Sequence, residues 1–99
     1  MRIAASEAQV IAETASAVFG KRVAVWLFGS RTDDAKKGGD IDLYVELPPE
    51  DYTYAKKVRF WCELVNHLGD QKIDIVINKT GVSPHLPIHD IAKTKGIRL

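Results

Sequence analysis

Two short segments of this chain alternate apolar and polar residues with a period of two, and both set aspartate on the polar side. In Asp40-Ile41-Asp42-Leu43-Tyr44-Val45-Glu46, the residues Ile41, Leu43 and Val45 fall on one face. Lys72 to Ile77 repeats the pattern, with Ile73, Ile75 and Ile77 on one face and Asp74 on the other. Successive side chains of a strand point to opposite faces, so the pattern predicts two strands with one buried face each. A chain built this way must form a sheet and cover one side of it. Asp40 and Asp42, two residues apart, project together from the uncovered side, and Asp74 joins them if the strands are neighbours.

The remaining segments supply the cover. Ala8, Ile11, Ala15 and Val18 recur at helical spacing between Ser6 and Phe19, and Gly20 provides a stop. Val23 to Phe28 is an unbroken apolar run of strand length, as expected of a central strand, and Gly29-Ser30 ends it. Pro48 and Pro49 close the first aspartate strand. A helix then runs from Glu50 or Asp51 to Gly69, its stripe of Tyr54, Val58, Trp61, Val65 and Leu68 predicted to face the core. A loop with Gly81, Pro84 and Pro87 leads to a short last helix near Ile88–Lys95. The order α-β-(α)-β-α-β-α predicts an α/β (α+β) fold, a small mixed sheet with helices packed on one face.

Ninety-nine residues with 45% hydrophobic content support one modest core, so residues 1–99 are expected to form a single domain. Fourteen Lys and Arg against thirteen Asp and Glu leave a formal charge of +1, which argues against a duplex nucleic-acid binder. A lone cysteine, Cys62, forms no internal disulfide, and neither a membrane span nor a secretory leader is visible, so a cytoplasmic location is expected. His67, His85 and His89 show no zinc spacing. Trp26 and Trp61 sit in apolar runs and are expected in the core, and Lys56, Lys57 and Arg59 on a solvated helix face.

Three carboxylates gathered on one face repel one another unless a cation sits between them. An all-oxygen donor set suits Mg²⁺ or Mn²⁺, and a pair of such ions clamps the attacking and leaving oxygens of a phosphoryl or nucleotidyl transfer. The Gly29-Ser30 turn offers the complementary half. Free backbone N–H groups after a strand, a glycine that admits close approach and a hydroxyl donor favour phosphate, and Arg31 adds positive charge.

Phe28-Gly29-Ser30-Arg31, then Gly39-Asp40-Ile41-Asp42-Leu43, then a later strand with Asp74, resembles the minimal nucleotidyltransferase family of the polymerase-β-like nucleotidyltransferase superfamily. The resemblance covers nearly the whole chain. It implies that Asp40 and Asp42 hold two Mg²⁺ ions (or Mn²⁺), and that Asp74 holds the catalytic ion and helps deprotonate the attacking hydroxyl. Gly29 and Ser30 would hold the β- and γ-phosphates of a nucleoside triphosphate, with ATP the favoured donor, and Arg31 would assist. Many members continue Gly-Ser-Arg-Ala-Arg-Gly where this chain has Thr32-Asp33-Asp34, and many have serine where it has Gly39.

The resemblance further implies a partner, since such minimal domains commonly pair with a helical HEPN-domain protein as antitoxin and toxin, in an assembly of like or unlike chains. Some members adenylylate a tyrosine of that partner and silence its RNase activity. The expected activity is therefore Mg²⁺-dependent transfer of AMP from ATP to a hydroxyl of a HEPN-type partner. Two alternatives stand beside it: an antitoxin that occludes its partner without chemistry, and an antibiotic-type nucleotidyltransferase subunit acting on a small alcohol.

Overall fold

The computed structural model describes residues 5–28, 40–69, 72–81 and 96–99, without the side chain of Asp40. Its elements in chain order are α1 (Ala5–Phe19), β1 (Ala24–Phe28), β2 (Asp40–Leu47), a 3₁₀ turn (Pro49–Asp51), α2 (Tyr54–Leu68), β3 (Lys72–Lys79) and β4 (Ile97–Arg98). The expected turns after Gly29 and the expected last helix near Ile88–Lys95 lie outside the described residues. No described helix is long and apolar enough to cross a membrane.

The four strands form one mixed sheet in the order β3-β2-β1-β4. β1 pairs antiparallel with β2 and with β4, while β2 and β3 are parallel. A parallel pair needs a crossover connection, which α2 provides. The apolar run of β1 is central, as its lack of alternation predicts. β4 is a two-residue addition with no pattern of its own.

Local sequence explains each boundary. Gly20 adopts φ 104° after α1, and its N–H bonds the Ser16 carbonyl at 3.0 Å. Left-handed backbone of this kind suits glycine and ends the helix. Pro48 and Pro49 cannot continue the β2 ladder. Thr53 caps α2, its hydroxyl accepting from the Lys56 N–H at 3.1 Å. Gly69, at φ 81°, closes α2 through its N–H to the Val65 carbonyl at 3.0 Å.

One face of the sheet carries the core. Val25 and Leu27 of β1, Ile41, Leu43, Val45 and Leu47 of β2 and Ile73 of β3 are buried with Ile11, Ala15, Val18 and Phe19 of α1 and Phe60 and Leu64 of α2. Phe19 and Phe60 meet edge to face at 5.3 Å, joining the two helices. At the rim, Arg22 donates to both carboxylate oxygens of Asp51 at 3.1 and 2.9 Å, and Glu50 lies 3.8 Å away. The hydrogen bond and charge of Asp51 hold the Arg22 pKa above its ordinary value. This contact ties the turn after α1 to the 3₁₀ turn before α2.

α2 is rotated from the orientation its stripe predicts. Phe60 and Leu64 are the buried residues, while Tyr54, Val58 and Trp61 are 72%, 41% and 44% exposed. At 100° per residue the apolar positions of α2 cover an arc of roughly 160°, wider than one packing face requires. The sheet takes the Phe60–Leu64 side, Val65 and Leu68 pack at its border, and the Tyr54–Val58–Trp61 side is left outward. Trp61 is thus a surface residue, contrary to expectation.

This rotation has a measurable consequence. Phe60→Ala opens a cavity in the core and should lower unfolding free energy by about 3–5 kcal/mol in urea titration. Trp61→Ala, one residue along, should cost less than half as much.

Candidate active site

Parallel pairing sets Asp42 directly beside Asp74, with Asp40 opposite Lys72 two residues earlier. Ile41, Leu43 and Ile73, the neighbours of the two carboxylates in sequence, are buried on the helix side. Asp42 and Asp74 therefore share the face that neither α1 nor α2 covers. β2 is an interior strand, so Asp42 does not stand on a sheet edge. Their Cα atoms lie about one strand spacing apart, roughly 4.8 Å. On the other side of β2, Asp42 is in register with Phe28, the last residue of β1. The chain thus leaves β1 beside the carboxylates. Gly29, Ser30 and Arg31 follow at once in sequence and lie outside the described residues.

Like charges side by side on adjacent strands destabilise a sheet. Lys72 Nζ lies 4.0 Å from Asp74 Oδ2, with side chains 70% and 54% exposed respectively. A contact that long and that hydrated neutralises little. Among the described residues no group of three His, Cys, Asp or Glu stands close enough to hold a metal ion. Asp42, half-buried, and Asp74, exposed, are in register and offer carboxylate oxygens, and that donor chemistry fits a hard divalent cation completed by water and phosphate oxygens.

Further along the same face, side chains interlock. The Tyr44 hydroxyl donates to Glu46 Oε2 at 2.8 Å and accepts from Asn78 Nδ2 at 2.9 Å. Tyr44 is fully buried although it points away from α1 and α2. Trp26 packs on Tyr44 at 5.4 Å, and the Arg98 guanidinium lies 5.0 Å from the Trp26 ring. Trp26 therefore belongs to this second face and not to the helix-side core. The network pins β2 to β3 two to four residues along from Asp42 and Asp74, and the Thr80 N–H caps the ladder at the Leu47 carbonyl, 2.9 Å away. Its members continue the period-two rows of the aspartates, which was the available signal: Tyr44 and Glu46 follow Asp42, and Asn78 follows Asp74.

The histidine and lysine expectations divide. His67 is exposed, whereas His85 and His89 lie outside the described residues. Lys56 reaches the Asp51 carbonyl at 3.3 Å, and Lys57 lines a groove between α2 and β3, so the basic patch is only partly a solvated face.

The profile of the nucleotidyltransferase domain family matches residues 10–96, a span that contains every element from within α1 through β3. No curated protein matches the chain significantly.

If the two aspartates are held for chemistry and not for folding, removing one charge relieves repulsion. Asp74→Asn should leave stability in metal-free buffer unchanged or raise it by up to about 1 kcal/mol, read from the urea midpoint. A loss of more than that would assign Asp74 a structural role.

Proposed function

The chain belongs to the nucleotidyltransferase domain family, and from that premise we propose that it is a minimal nucleotidyltransferase that moves AMP from ATP to a hydroxyl of a helical, HEPN-type partner protein, as the antitoxin of the pair. The observation that carries this reading is the register of Asp42 with Asp74 on the face away from α1 and α2, beside the end of β1.

In this reading Asp40, Asp42 and Asp74 would hold Mg²⁺, which supplies positive charge to the triphosphate and to the attacking oxygen. Gly29 and Ser30 would receive the β- and γ-phosphates on backbone N–H groups and a hydroxyl, and Arg31 would offset the charge of the departing pyrophosphate. The acceptor oxygen bonds to the α-phosphorus, and the bond from that phosphorus to the α–β bridging oxygen breaks. Pyrophosphate leaves with the electron pair, and the hydroxyl proton passes to the Asp74 carboxylate and on to water. The protein's own contribution is placement and charge, with no covalent intermediate.

Incubation with ATP labelled in the α-phosphate, Mg²⁺ and the helical product of an adjacent reading frame should place label on that product. Asp40→Ala combined with Asp42→Ala should reduce labelling by about 10²-fold or more. An unlabelled partner that the doubly substituted protein still neutralises would favour simple occlusion. Label on a small alcohol without any second polypeptide would favour the antibiotic-type reading.

A further inference from the structure

Between α2 and β3 runs a groove of about 400 Å³, lined by Tyr54, Lys57, Val58 and Trp61 on one side and by Ile73 to Val76 on the other. Ile73 and Ile75 belong to the helix side of the sheet, whereas Asp74 and Val76 belong to the open side. A groove touched by both sets follows the edge of the strand itself. Among the described residues no strand pairs with β3 on that side. An eight-residue strand edge with an apolar centre at Ile75-Val76-Ile77 is a template for a further strand, and here an exposed aromatic and aliphatic ridge stands beside it.

We infer that this edge seats the acceptor: an extended segment of the partner polypeptide pairs with β3 and presents a hydroxyl side chain beside Asp74. The inference rests on the nucleotidyltransferase reading and names where its second substrate docks. Residues directly opposite on paired strands share a face, with Cβ atoms about 5 Å apart. The residue opposite Asp74 on an added strand therefore emerges on the open face, next to the carboxylate that takes its proton. Its oxygen then bonds the α-phosphorus as pyrophosphate departs with the bonding electron pair. Tyr54, Val58 and Trp61 would cover the neighbouring apolar residues of the segment.

Charge favours a foreign strand over a second copy of this chain. Lys72, 4.0 Å from Asp74, and Lys79, over the Tyr52 ring, stand at the two ends of β3 and Lys57 lines the groove, so three cations surround the single carboxylate of Asp74 and fit a segment with acidic flanks. Antiparallel self-pairing of β3 would bring Lys72 of one copy toward Lys79 of the other. β3, with the sequence KIDIVINK, also contains no Ser, Thr or Tyr, so a second copy brings no acceptor hydroxyl to Asp74.

The test compares wild type with Val58→Glu and Trp61→Ala, against the same adjacent-frame protein. Both variants should keep the far-UV spectrum and nucleotide affinity of the wild type. Each should weaken binding of that protein, measured without ATP, by roughly tenfold or more, and raise its KM while kcat changes little. Unchanged partner affinity in both variants overturns the docking surface, as does a wild-type dimer that Val58→Glu converts to monomer. If wild type transfers no label yet Val58→Glu abolishes partner binding, the transfer reading fails and the docking surface stands. If label transfer proceeds equally in all three proteins, the groove assignment alone fails.

Discussion

The parallel register of β2 with β3 is the constraint on which the rest of the structure depends, because it sets Asp42 beside Asp74. The aspartates cannot escape by slipping one residue, because a slip would turn Ile41, Leu43, Val45 and Ile73 out of the core. Each buried aliphatic side chain contributes about 1.5–3 kcal/mol, whereas a like-charge pair side by side on neighbouring strands costs up to about 1. Register is therefore dictated by the helix side of the sheet, and the charged geometry of the open side follows from it. The Tyr44–Glu46–Asn78 hydrogen bonds tighten the same alignment from the other face.

α2 illustrates a second constraint. Its apolar arc is wider than the sheet can cover, so one part docks through Phe60 and Leu64 and another remains on the surface as Tyr54, Val58 and Trp61. The exposed part does not lie at random. It borders the free edge of β3 and reaches the rung of Asp74, so the strand that bears one carboxylate of the candidate site also forms one wall of the groove. Candidate chemistry and candidate recognition meet on a single element.

Much of this was legible in the residues themselves. Period-two alternation located β2 and β3 and set Asp42 and Asp74 on the side away from the helices, because strand geometry converts spacing directly into facing. The central place of β1 followed from its unbroken hydrophobicity. The orientation of α2 was not legible: Val58 and Trp61 are as apolar as Phe60 and Leu64, and only the shape of the sheet decides which of them it accepts. Trp26 misled for a related reason, since an apolar run buried on two faces does not say which face holds a given ring. β4 is too short to carry a pattern, and its pairing depends on β1.

Where a divalent ion settles tests the account most directly. Isotope-labelled protein titrated with Mn²⁺ and ATP should lose the NMR amide signals of Asp42, Asp74 and their strand neighbours first, because paramagnetic broadening falls steeply with distance. Asp42→Asn should remove that selectivity. Broadening centred on α1 or on the Arg22–Asp51 corner, with the β2–β3 rungs untouched, would contradict the assignment of the open face as the site.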